Sequence, residues 1–128
     1  MSKTSVKAKL DMIQSFSRFM DSGSQSATIV FYEGTQPTST EISADASKKL
    51  VTLTFPEPCV KEVTTTHVEL FPTDLGTVIK SGTATWARIY NGSSEVATDL
   101  TVGEDVTLAN TSLALGGTLS ITSMKLRP

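Results

Sequence analysis

One cysteine and one histidine stand in 128 residues. A lone Cys forms no intrachain disulfide and no multi-cysteine zinc site, and a lone His excludes a multi-histidine metal centre. Charge is sparse as well. Charged residues make up 19% of the chain, below the roughly 25% of an average globular protein. A net charge of −2 excludes a strongly basic nucleic-acid binder, so no nucleic-acid partner is expected. No apolar run approaches the roughly 20 residues that cross a bilayer, so no membrane partner is expected either. Lys3, Lys7 and Lys9 imitate the start of a signal peptide, but Asp11, Gln14 and Arg18 interrupt the segment that follows. Secretion by that route is therefore not expected. No Gly-rich phosphate loop is present; the glycines sit at turn positions. These absences weigh against an enzyme, and no cofactor is expected.

What the chain has is Ser and Thr, and a change of pattern after residue 22. Residues 5–21 predict an amphipathic helix. At 100° per residue Val6, Leu10, Ile13, Phe16 and Met20 share one face, which Met12 and Phe19 widen. Gly23 supplies a stop, and Ser22 to Ser26 reads as a short flexible link. Residues 27–128 then read as strands. Segments 27–32, 50–55, 63–71, 83–90, 95–98, 105–109 and 119–126, with a short piece at 78–79 and with 99–102 either continuing or following the 95–98 strand, give about eight, separated by Gly, Pro and Asn-Gly signals. Asn91-Gly92 is the strongest hairpin signal. Leu119 and Ile121 disagree in parity with Met124 and Leu126, which predicts a bulge near Thr122-Ser123. The expected organisation is a helix over residues 1–22 and a mainly β domain over 27–128. The pattern fits a β-sandwich or a small barrel with the helix outside it, and the expected architecture of the two is a jelly-roll-like β-sandwich.

Few residues offer chemistry. His67 lies in a Thr-rich strand with no nucleophile or orienting acid signalled beside it, and Cys59 follows Pro58 in a turn; both read as structural. Asp99, Glu104 and Asp105 offer oxygen donors to calcium, but their spacing fits no EF-hand loop and a solvated turn is the better reading. Trp86, Arg88 and Tyr90 share a strand face. That face suits a carbohydrate or nucleobase platform, or, as the blander reading, a core or interface face with one snorkelling Arg. The helix must bury its apolar half on its own domain or on a partner.

Several blocks occur in an order that resembles a family of small structural proteins of tailed bacteriophages and prophages. They are Tyr32-Glu33-Gly34-Thr35-Gln36-Pro37, Leu50 to Phe55 with Pro56 and Pro58, Gly82-Thr83-Ala84-Thr85-Trp86-Ala87-Arg88, and Val102 to Ser112. Residues 57–75 depart from the family's usual Ala/Gly-rich segment. The resemblance implies a non-enzymatic virion component, assembled in the cytoplasm of the bacterial host, that decorates or cements the capsid or sits at the head–tail junction. Its partners would be the major capsid protein or neck and portal proteins, with self-association. Leu10, Ile13, Phe16, Phe19 and Met20 are the expected inter-subunit anchor, and Trp86, Arg88 and Tyr90 a second contact face. The alternative is a carbohydrate-binding module of a receptor-binding fibre, which requires Trp86 and Tyr90 to be exposed.

Overall fold

Thr28 to Tyr32 places a β-branched or aromatic residue at every position, the composition that fits a pleated strand packed on both faces. In the computed structural model it forms β1 (Thr28–Tyr32), at the centre of a sheet. The structure describes residues 15, 18–20, 22–23, 25–56, 60–63, 68–104, 106, 108, 110–121 and 124–126. The protein is mainly β, with open sheets. Further strands are β2 (Lys49–Thr54), β3 (Val60–Val63), β4 (Val68–Leu70), β5 (Gly76–Thr77) and β6 (Gly82–Thr83). They are followed by β7 (Trp86–Tyr90), β8 (Val96–Thr101), β9 (Ser112–Leu113), β10 (Thr118–Leu119) and β11 (Met124–Leu126).

The main sheet has the order β2-β1-β7-β8, antiparallel throughout. Residues 74–79 run along the outer side of β2: the Asp74 amide donates to the Thr54 carbonyl (3.0 Å) and the Ile79 amide to the Leu50 carbonyl (2.8 Å). β10 pairs with β5 beyond them. A separate ladder, β11-β4-β3, and the short pair β6-β9 complete the fold. One face of the main sheet carries Ile29, Phe31, Leu53, Ala87, Ile89 and Leu100 into a single core, closed by Met20, Phe55, Leu70, Val78, Leu113 and Ile121.

Several expectations change. The single strand over 63–71 is instead the hairpin β3-β4, in which apolar residues at its two ends pair, Val60 with Leu70 and Val63 with Val68. The strand over 83–90 breaks at 84–85: Ala84 joins the core beside Ala87 and Ile89, and only from Trp86 does the alternation run regularly. The strand over 119–126 divides between two ladders, Leu119 opposite Gly76 and Met124 opposite Leu70, which accounts for the conflict of parity. The bulge placed at Thr122-Ser123 lies outside the described residues. Of the strand expected over 105–109, Val106 makes an isolated bridge to Val102.

Of the helix expected over 5–21, only Ser15 and residues 18–20 are described, and these are helical; Leu10, Ile13 and Phe16 lie outside the described residues. Among the described residues no helix is long and apolar enough to cross a membrane. The expected link over 22–26 is held at two of its described residues. The Asn91 amide group donates to Ser22 Oγ (3.0 Å), and the Gln25 amide donates to the Gly92 carbonyl (3.3 Å). A Cβ on Gly92 would collide with the carbonyls of Gln25 and Ser22, so the close approach itself requires glycine.

Candidate functional site

The second face of the main sheet is where polar chemistry collects. The β7-β8 hairpin register sets Arg88 opposite Asp99. The guanidinium grips the carboxylate with two bonds, Nε to Oδ1 at 2.6 Å and Nη2 to Oδ2 at 3.0 Å. Nη1 donates to the Ile42 carbonyl at 2.7 Å. Arg88 is 1% exposed, so both charges have left water and depend on this geometry. The Asp99 bonds raise the Arg88 pKa, against the opposing effect of burial. Trp86 stacks on Tyr32 with ring centroids 4.5 Å apart, and the Arg88 guanidinium lies 5.4 Å from the Trp86 centroid. The Tyr32 and Tyr90 hydroxyls are 3.2 Å apart. Burial first, and that hydrogen bond second, push the Tyr32 pKa well above the ordinary phenol value. Among the described residues no buried side-chain polar atom lacks a partner.

The cover is the loop over residues 33–48. Its ends are closed by the Glu33 amide donating to the Lys48 carbonyl (3.1 Å), the geometry of an Ω-loop. Thr101 Oγ1 donates to Gln36 Oε1 (2.7 Å), Thr85 Oγ1 to the Gly34 carbonyl (2.6 Å), and Ala44 packs on the aromatic cluster. Lys80 reaches Glu33 Oε1 (2.9 Å) and the Ser47 carbonyl (2.8 Å) from outside. Asp45 caps the 3-10 turn Ala46–Lys48 by accepting from the Ser47 amide.

The expected site residues therefore part company. Trp86 (3% exposed) and Arg88 are covered by the chain's own loop, while Tyr90 is half-buried. The expectation of Trp86 and Arg88 as an open contact face gives way, because the polar 33–48 segment folds back over them. Met20 is fully buried in the chain's own core and Phe19 half-buried beside it, so this end of the expected anchor packs at home. Asp99 is committed to Arg88 and Glu104 lies in an exposed turn. Among the described residues no cluster of His, Cys, Asp and Glu is placed to hold a metal. His67, Cys59 and Asp105 lie outside the described residues.

A different surface escaped the sequence reading. Along 75–79 exposure alternates, with Gly76 and Val78 buried and Leu75, Thr77 and Ile79 outward. Leu75 is 71% exposed and Ile79 58%. Leu115, 67% exposed, lies on the neighbouring turn, whose Gly116 amide donates to the Val78 carbonyl (2.9 Å). Period-two alternation was there to be read in Leu75-Gly76-Thr77-Val78-Ile79, but the glycine and its neighbours read as a turn. Comparison of the chain with protein-family models, with curated proteins and with solved structures finds no match in any of the three.

Proposed function

We propose that the chain is a structural protein of a tailed-bacteriophage particle. In this reading it folds as a jelly-roll-like β-sandwich and works by adhesion, without catalysis. It decorates or cements the capsid, or occupies the head–tail junction against neck and portal proteins. The observation that carries the reading is the exposure of Leu75, Ile79 and Leu115, on a segment and a turn joined by the Gly116–Val78 hydrogen bond. Aliphatic side chains of this size are each worth about 1.5–3 kcal/mol when fully withdrawn from water, so a partner gains from covering them. Repetition over a particle turns a modest contact into firm retention. Leu10, Ile13 and Phe16 of the expected helix are a second contact in this proposal. The carbohydrate-platform reading is not favoured, because Trp86 lies against Tyr32 beneath the 33–48 loop and presents no open ring face.

Mass spectrometry of density-purified particles, induced from a bacterium carrying this sequence, tests the reading. The chain should co-purify in a fixed ratio to the major capsid protein. Its absence from particles, with all of it in the free fraction, would overturn the proposal.

A further inference from the structure

Asn91-Gly92, the strongest hairpin signal in the sequence, carries a reactivity that adhesion does not use. An Asn followed by Gly is the pair most prone to lose its side-chain amide, because no side chain on the next residue shields the backbone nitrogen. The Gly92 nitrogen gives up its proton to water and attacks Asn91 Cγ. The N–Cγ bond forms, the Cγ–Nδ2 bond breaks, and Nδ2 leaves as ammonia. Water then opens the cyclic imide at one carbonyl or the other, leaving aspartate or isoaspartate. The chain's second Asn, Asn110, precedes the β-branched Thr111 and is far less disposed to this reaction.

The fold opposes each step. Asn91 is 2% exposed and Gly92 is buried. The hydrogen-bonding capacity of the Asn91 side chain is filled on both atoms. Oδ1 accepts from the Ser93 amide (3.0 Å) and the Glu95 amide (2.9 Å). Nδ2 donates to Ser22 Oγ (3.0 Å) and to Glu95 Oε1 (3.3 Å). Closing the imide ring draws Cγ onto the Gly92 nitrogen and moves Oδ1 and Nδ2 away from these partners. Ser22, Gly23 and Gln25 cover the pair. Gly23 takes a φ of +102° and lies so close that a Cβ on it would strike the Gly92 carbonyl carbon and the Ser93 nitrogen. Water must enter and ammonia must leave through that cover.

We infer that Asn91-Gly92 is a spontaneous deamidation site kept latent by Ser22, Gly23 and Gln25, and that the reaction, once it has run, prevents their return. The product does not rebuild the contact. The Ser22 hydroxyl already donates to the Phe19 carbonyl (2.6 Å), so it has no proton for a carboxylate at position 91. Glu95 Oε1 meets a second negative charge where it now accepts a bond. Isoaspartate also adds a methylene to the main chain, which shifts the Gly92 carbonyl from the Gln25 amide. Ser22, Gly23 and Gln25 are thereby released from the β7-β8 turn in one direction only. This goes beyond the adhesion reading and does not rest on it.

Peptide mapping by mass spectrometry, which resolves the asparagine, aspartate and isoaspartate forms, tests this on the full chain during incubation at mildly alkaline pH. Conversion at Asn91 should be at least ~10-fold slower in the folded wild type than in urea, where local protection is lost. Asn110, exposed in the fold, should change far less. Gly23→Ala, checked as folded by far-UV circular dichroism, should remove most of the protection at Asn91. If Gly23→Ala does not fold, Ser22→Ala decides: loss of one hydrogen bond should speed conversion in the folded chain about 5-fold. Lys80→Ala, which loosens the separate 33–48 loop, should leave the rate at Asn91 unchanged. Equal rates in folded and unfolded wild type, or a folded cover variant no faster than Lys80→Ala, would overturn the inference. Hydrogen exchange at Ser22, Gly23 and Gln25 should be faster in the deamidated chain than in the amidated one, and equal exchange would overturn the one-way release.

Discussion

The two faces of the main sheet are built on opposite principles. One carries Ile29, Phe31, Leu53, Ala87, Ile89 and Leu100 into a core that needs no particular partner geometry. Its stability comes from apolar area, which is non-directional. The other carries Tyr32, Trp86, Arg88 and Asp99, and is dry only because the 33–48 loop lies over it. There the geometry must be met bond by bond, because a buried charge without its partner is expensive. The first face holds the fold together; the second fixes which segment lies where.

This contrast can be broken from either side. Phe31→Ala should cost the most, about 4 kcal/mol from lost transfer energy and a residual cavity, read as a lowered midpoint of chemical denaturation. Asp99→Asn should follow at about 3 kcal/mol, because it strips the counter-charge from a buried guanidinium. Combining Arg88→Met with Asp99→Leu should restore stability close to wild type while hydrogen exchange in residues 36–44 accelerates. That result would separate the pair's role in placing the loop from its role in stability.

Alkali sharpens the comparison further. The folded pKa of Tyr32 lies above its unfolded value of about 10. Its protonated form is therefore favoured by folding, and the stability it contributes is complete below pH ~10 and declines as pH rises toward the folded pKa. Phenolate absorbance should show one tyrosine that ionises only on unfolding, and Tyr32→Phe should remove that signal. The smallest effect belongs to Lys80→Ala, below about 1 kcal/mol, because its ion pair with Glu33 is half-exposed. Faster exchange in the 33–48 loop, with an unchanged global midpoint, is the expected signature.

The apolar face was legible in the sequence because alternation and side-chain size report burial directly: Val51, Leu53 and Phe55 share a side as the pattern requires, and all three are buried. The hairpin after Tyr90 was legible too, signalled by Asn91-Gly92. The Asn91 amide bonds to the Glu95 carbonyl and Ser94 takes the positive φ of 62°. That is the three-residue hairpin class. The polar face was not legible, because what covers Arg88 is a carbonyl 46 positions away in a segment with no pattern of its own. Sequence alternation placed Trp86, Arg88 and Tyr90 together but carried no signal of the loop over them. The outward aliphatics Leu75 and Leu115 were hidden by the glycines beside them, which read as turns, and Ile79 stands in the short strand expected over 78–79, too short to show an alternation.

The claim that this chain works by covering apolar surface on a neighbour is tested most directly by the double variant Ile79→Asp, Leu115→Asp. Both side chains point to solvent, so thermal melting of the purified chain should be unchanged. Its retention in density-purified particles should fall to background. Retention at the wild-type level by the folded double variant would contradict the account.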